Sequence, residues 1–164
     1  VNISALQMRQ PDFVFRIANI LREEEFPPQN LELELTESLA MRDPELAIEL
    51  IQELRRMGIK VAMDDFGTGY SSLSYLKKFN FSRLKIDRSF IQDIETNAES
   101  LAIVKAIVGI CDSLEILTIA EGVETEIQMN LMRSLGCKET QGFFVAQPMP
   151  AEETSFWLRE KRGK

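Results

Sequence analysis

The feature that most constrains this chain is an exchange between short apolar or alternating runs and longer stretches of helical period, repeated from end to end. That pattern predicts βα units built around a parallel sheet. Strands are expected over residues 1–4, 31–37, 59–64, 84–87, 116–121 and 138–142. Residues 12–25 carry Phe13, Ile17, Ile20 and Leu21 at helical spacing and are stopped by Pro27 and Pro28. Asp43 and Pro44 open a helix that Gly58 closes, a short helix follows the loop at Asp65 through Leu76, and further helices are expected near 98–112, 125–135 and 151–161. Six units in 164 residues is about 27 residues each, whereas an eight-stranded βα barrel at that spacing needs roughly 220. Periodicity alone leaves two architectures open: a TIM-like βα barrel short of about two units, and an open doubly wound sheet.

Composition narrows the chemistry. With 45% hydrophobic and 27% charged residues the chain fits one globular domain, and its formal charge of -7 lacks the basic footprint of a DNA-binding or lipid-surface protein. There is no histidine, and Cys111 and Cys137 are unpaired in spacing, so zinc-finger sites and Ser-His-Asp or Cys-His mechanisms are excluded. Both thiols read as reduced core residues of a cytoplasmic protein. No signal peptide opens the sequence, and the apolar stretch 101–120 is interrupted by Lys105, Asp112 and Glu115, so no membrane segment is expected.

Charged residues fall where a parallel sheet should be covered. In the second strand Glu32, Glu34 and Thr36 share one face, and in the fourth Lys85 and Asp87 oppose Leu84 and Ile86. An antiparallel sheet would explain this as a wet outer face, but each strand here feeds a helix. Charges at the C-terminal ends of parallel strands then point to a ligand site at the mouth. The strand ends supply Asn2, Glu34, Glu37, Asp64, Asp65, Lys85, Asp87, Glu121, Glu124 and Gln141. An oxygen-only set of this kind suits Mg²⁺, Mn²⁺ or Ca²⁺, and so many carboxylates stay ionised together only with cations among them. A carboxylate bridging two such ions about 3.5 to 4 Å apart is the arrangement used for displacement at phosphorus. These residues predict metal-assisted hydrolysis of a phosphate ester. A competing motif, residues 67–72, has the look of a dinucleotide-binding turn, but Ser72 replaces its third glycine and Asp64 and Asp65 would repel a pyrophosphate. The glycines fit a mobile segment beside the site better.

Several strings together resemble the EAL domain family: Asn2-Ile3-Ser4, Glu34-Leu35-Thr36-Glu37-Ser38, Asp64-Asp65-Phe66-Gly67-Thr68-Gly69-Tyr70-Ser71-Ser72-Leu73, Lys85-Ile86-Asp87, Ala120-Glu121-Gly122-Val123-Glu124-Thr125 and Gln141-Gly142-Phe143. The resemblance implies a modified βα barrel that hydrolyses the bacterial messenger cyclic di-GMP to linear pGpG with two ions of Mg²⁺ or Mn²⁺. By that resemblance Asn2, Glu34 and Asp64 hold one metal, and Asp64 bridges to a second held with Asp65 and Glu121. Lys85 activates or positions the attacking water, Asp87 belongs to the same network, and Gln141 contacts substrate. Glu37 anchors the segment 65–72, which the family associates with metal binding and dimerisation. A homodimer is therefore expected, as are fused sensor or diguanylate-cyclase-like domains outside these residues.

The Glu-Ala-Leu motif that names the family, with the substrate-binding Arg two residues beyond it, would lie upstream of Asn2 and is not in this sequence. The expectation is a single domain over residues 1–164, incomplete at its N-terminus, with reduced metal binding and catalysis. Two other functions stay open: a catalytically silent cyclic di-GMP or protein-binding module, and a dimerisation unit. Other conspicuous residues read as structural. Glu23 to Glu25 form a solvated helix end and Arg55 and Arg56 complement a helix C-terminus. Met8, Met129, Met132, Phe143, Phe144 and Trp157 are expected to pack, Glu32 and Glu124 are the weakest ligand candidates, and residues 160–164 are a tail.

Overall fold

In a computed structural model, which describes residues 1–69 and 73–162, the chain forms five parallel strands with helices between them. Tyr70, Ser71 and Ser72 of the glycine segment, and Gly163 and Lys164 of the expected tail, lie outside the described residues. The elements run α1 (Ala5–Met8), α2 (Phe13–Glu23), β1 (Glu32–Thr36), α3 (Glu37–Arg42), α4 (Pro44–Arg56), β2 (Lys60–Phe66), α5 (Leu73–Phe79) and β3 (Arg83–Ile86). They continue with α6 (Arg88–Gln92), α7 (Ala98–Ser113), β4 (Leu117–Glu121), α8 (Glu126–Leu135), β5 (Glu139–Gln141) and α9 (Ala151–Arg162).

The strand order is β1-β2-β3-β4-β5, identical with the order along the chain, and every pairing is parallel. A doubly wound sheet reverses its order at a switch point, whereas consecutive right-handed crossovers put all helices on one side, as in an arc of a βα barrel. The choice left open by periodicity is therefore settled for the barrel. The sixth expected strand, residues 1–4, is reduced to one parallel bridge between Asn2 and Glu34, because Ser4 already caps α1 by accepting from Gln7 N.

Alternation along the strands divides the sheet into two faces. Leu33, Leu35, Val61, Met63, Leu84, Ile86 and Ala120 are buried towards the helices, where α4 presents Ala47, Leu50, Ile51 and Leu54 and α7 presents Val104, Ile107, Val108 and Cys111. Glu32, Glu34, Ala62, Asp64, Arg83, Lys85, Ile119 and Glu121 have the opposite parity and form the inner face. Helix ends follow the sequence signals: Asp43 Oδ1 accepts from Leu46 N, Thr125 and Gln128 make a capping box, and Gly136 adopts φ 91° after α8.

Met8, Met129 and Met132 are core residues as expected, but Phe143 and Phe144 are 60% and 44% exposed. The turn after β5 explains this. Gly142 lies so close to the turn after β4 that its backbone takes up the packing position, and Phe144 N donates to Val123 O, leaving both rings outside. A Cβ on Gly142 would come within 2.2 Å of Val123 O and 2.4 Å of Val123 N, both backbone atoms. Gly142→Ala is expected to lower stability by about 1–3 kcal/mol, the usual cost of overpacking, read as a shift of the urea midpoint at unchanged slope.

Candidate active site

Towards the C-terminal ends of β1 to β4 the inner face gathers three carboxylates around one ammonium. Lys85 Nζ lies 2.8 Å from Glu121 Oε1, 2.9 Å from Asp64 Oδ1 and 3.3 Å from Glu34 Oε2, and Lys85 is only 5% exposed. Each residue is delivered by register: Glu34 pairs with Ala62 on β2, Thr36 with Asp64, and Lys85 with Ile119 on β4, two residues before Glu121.

Asp65 joins them through a break in the pattern. Strict alternation would send Asp64 and Asp65 to opposite faces, and the sequence places the strand end at Asp64. Instead β2 continues to Phe66 with a register shift between Met63 and Phe66, and Asp65 adopts φ 54°. Such a bulge re-aims a side chain at a sheet rim, and Asp is one of the few residues that tolerate the left-handed region. Carboxylate oxygens of Asp64, Asp65 and Glu121 all lie within 4.8 Å of one another as a result.

The electrostatics show an excess of negative charge. Burial alone would lower the Lys85 pKa, but hydrogen bonds to Glu121 and Asp64 outweigh it and hold the ammonium above the ordinary lysine range. Burial raises the Glu121 carboxyl, with Lys85 offsetting part of the rise, and burial followed by the charges of Asp64 and Asp87 raises Asp65. One ammonium faces four carboxylates, and every nearby donor is oxygen. That donor set fits hard divalent cations and offers nothing to soft ones.

The remaining expected site residues surround this cluster. Asn2 is in register with Glu34, Gln141 is in register with Glu121 on exposed β5, and Asp87 caps α6 through Oδ1, which accepts from Ser89 N at 2.9 Å. Glu37 is fully buried as the first residue of α3, and its Oε2 accepts from Gly67 N at 2.7 Å and Gly69 N at 3.4 Å. A Cβ at Gly69 would sit 2.7 Å from Glu37 Oε1, so glycine is needed where the segment meets its anchor. Glu32 stays outside the cluster and pairs with Arg83 instead. Glu124 contributes its backbone N–H to Gln128 Oε1, 2.7 Å away.

Gln128 was not legible as a site-supporting residue. Its Oε1 accepts from Glu124 N and Thr125 N while its Nε2 donates to Ile91 O, tying the turn after Glu121 to α6. The capping-box spacing from Thr125 was the available signal.

Five consecutive parallel strands with a carboxylate cluster at their C-terminal ends define a βα-barrel protein with an oxygen-donor cluster of the kind that can hold a metal ion. The chain belongs to the EAL domain family, whose profile matches residues 1–148. MucR of Pseudomonas aeruginosa, named a bifunctional diguanylate cyclase/cyclic di-GMP phosphodiesterase, is 46% identical over 153 residues, 93% of this chain and 22% of that protein. The solved MucR phosphodiesterase in complex with cyclic di-GMP superposes with a TM-score of 0.91 at 45% identity, covering 94% of this chain and 62% of that one. Klebsiella pneumoniae BlrP1, solved with manganese and the cyclic dinucleotide, gives 0.81 at 33% identity over 87% of this chain and 37% of that one. The chain thus spans about a fifth of the length of the curated relatives it matches, 22%, 19% and 20% for three of them.

Removing Lys85 leaves its carboxylates without a cation. Lys85→Met is expected to cost about 3 kcal/mol at neutral pH, the low end for breaking a buried pair in a partly wet site. The sign follows from linkage. Because the folded lysine pKa is raised, its contribution is complete at every pH below the ordinary lysine value. The deficit of the variant should therefore hold from neutral pH up to the ordinary lysine value and shrink above it as the folded ammonium loses its proton, which urea unfolding at a series of pH values checks.

Proposed function

We propose that this chain is part of a domain that carries out metal-dependent hydrolysis of cyclic di-GMP to linear pGpG. The observation that carries the reading is the Lys85 cluster: Glu34, Asp64 and Glu121 converge on one buried ammonium, with Asp65 brought beside them by the bulge in β2. It is supported by the cyclic di-GMP phosphodiesterase named among its relatives and by the manganese and cyclic dinucleotide complexes among its structural neighbours.

In this reading Asn2, Glu34 and Asp64 would hold one divalent ion, Mg²⁺ or Mn²⁺, and Asp64, Asp65 and Glu121 would hold a second. Bound ions would supply charge neutralisation at the phosphate and lower the pKa of water. The chain's own groups divide the remaining work. Lys85 stays protonated at neutral pH, so it donates hydrogen bonds that orient the water and does not take its proton. Glu121, whose Oε1 lies 2.8 Å from Lys85 Nζ, would help to orient the same water. Attack of water oxygen on one phosphorus forms the new P–O bond and the P–O3′ bond breaks, and the proton that the water gives up is balanced by the one that the leaving 3′ oxygen takes up to become a hydroxyl. Asp87 holds the start of α6 next to Asp65, Gln141 orients the dinucleotide at the open rim, and Glu37 holds the segment from Asp65 in place. The expected homodimer and fused sensor or diguanylate-cyclase-like domains belong to the same proposal, as does a cytoplasmic location. No helix among the described residues is long and apolar enough to cross a membrane.

The test is chromatographic conversion of cyclic di-GMP to pGpG with Mg²⁺ and with Mn²⁺, for this chain and for a form extended upstream. Turnover in either form supports the reading, and Asp64→Asn or Lys85→Ala in the active form should reduce it at least about a hundredfold. Absence of turnover in both forms contradicts it, and retained dinucleotide binding would then favour a receptor.

A further inference from the structure

Below the Lys85 cluster, on the same inner face, stands a second charged group that the proposed function does not use. Arg83 precedes Lys85 by two residues on β3, so both side chains project inwards, one above the other. Its guanidinium forks onto Glu139, with Nε to Oε2 and Nη2 to Oε1 both 3.1 Å, and its Nη1 reaches Glu32 Oε2 at 2.5 Å. Lys60 borders the same floor.

The strands joined in this way are not neighbours. Glu32 is on β1 and Glu139 on β5, while β3 is hydrogen-bonded only to β2 and β4. Backbone ladders fix adjacent strands, so Arg83 supplies a direct tie that the ladders lack. Two residues further along the three tied strands stand Glu34, Lys85 and Gln141. The planar fork of arginine fixes both distance and angle to a carboxylate, which a lysine point charge does not. Without a cation between them, Glu32 and Glu139 would repel each other across the floor. They would also leave Lys85, one layer above, as a competing partner.

Partly exposed pairs add little stability: the side chains of Arg83, Glu32 and Glu139 are 18%, 26% and 43% exposed. Their value lies in geometry. We propose that Arg83 is a positioning residue, a strut through Glu32 and Glu139 that sets the spacing of Glu34, Lys85 and Gln141 in the site above. The inference rests on the proposed function for its consequence in catalysis, but its geometry stands apart from it.

Mn²⁺ titration by calorimetry, far below the unfolding temperature, separates positioning from simple stabilisation. Arg83→Met is expected to weaken Mn²⁺ binding about tenfold, the lower end of the effect of residues that orient metal ligands. Arg83→Lys should restore part of that loss, because it keeps the charge without the fork, and turnover should fall in kcat more than it rises in KM. Folded Arg83→Met with the parent's Mn²⁺ affinity would overturn the proposal. If that variant does not fold, Glu139→Gln decides: weakened Mn²⁺ binding supports the strut and unchanged binding overturns it. A parent chain that binds no Mn²⁺ would leave the proposed function to be judged separately, in the form extended upstream. Arg83 would then be judged by the amide shifts of Glu34, Lys85 and Gln141 in Arg83→Met, where displacement supports the strut and coincidence with the parent rejects it.

Discussion

A buried ammonium held among carboxylates from neighbouring strands is the interaction on which the rest of this structure depends. Lys85 makes three ion pairs, to Glu34, Asp64 and Glu121, and these bring β1, β2 and β4 to bear on β3 at one level of the sheet. A single positive charge cannot balance that set together with Asp65. Burial first, and the neighbouring carboxylates after it, raise the carboxyls of Glu121 and Asp65, and the unbalanced negative charge makes the mouth of the sheet a donor set suited to divalent cations.

The fold supplies this crowding through order and parity. Because strand order follows chain order, the helices between the strands lie on one face, and the opposite face is free to carry polar side chains in layers. Odd strands provide Glu32, Arg83 and Glu139 at the floor and Glu34, Lys85 and Gln141 above them. Even strands provide Ala62 and Ile119, then Asp64 and Glu121. The local departure is the bulge at Asp65, which converts two adjacent aspartates that would diverge into a pair that converges. Glycines matter where a neighbour comes close to the backbone: Gly142 packs against the Val123 backbone, and Gly69 against the Glu37 carboxylate.

Much of this was legible in the sequence, and the reasons differ by residue. Glu34 and Lys85 announced themselves because period-two alternation put charge on a face that a βα unit should cover, and α4, bounded by Asp43, Pro44 and Gly58, carried strong end signals. The short helices α3 and α6 were not legible. Six and five residues are too few to establish a helical period, and their caps, Thr36 and Asp87, also read as strand ends. The convergence of Asp64 with Asp65 depends on a backbone irregularity that alternation cannot announce. Arg83 was invisible for another reason: its partners lie 51 and 56 residues away in sequence, on strands it does not pair with. The exposed Phe143 and Phe144 show the converse limit, since apolar composition says nothing about a turn displaced outwards by a close glycine contact.

The central claim is that the carboxylates around Lys85 are built to hold divalent cations. Anomalous diffraction from crystals grown with Mn²⁺ tests it most directly. The account predicts a manganese peak within coordination distance of the Asp64 carboxylate, on the side shared with Asp65 and Glu121. No peak there at saturating Mn²⁺, with Lys85 still paired to all three carboxylates, would contradict it and leave the cluster as a purely structural ion-pair network.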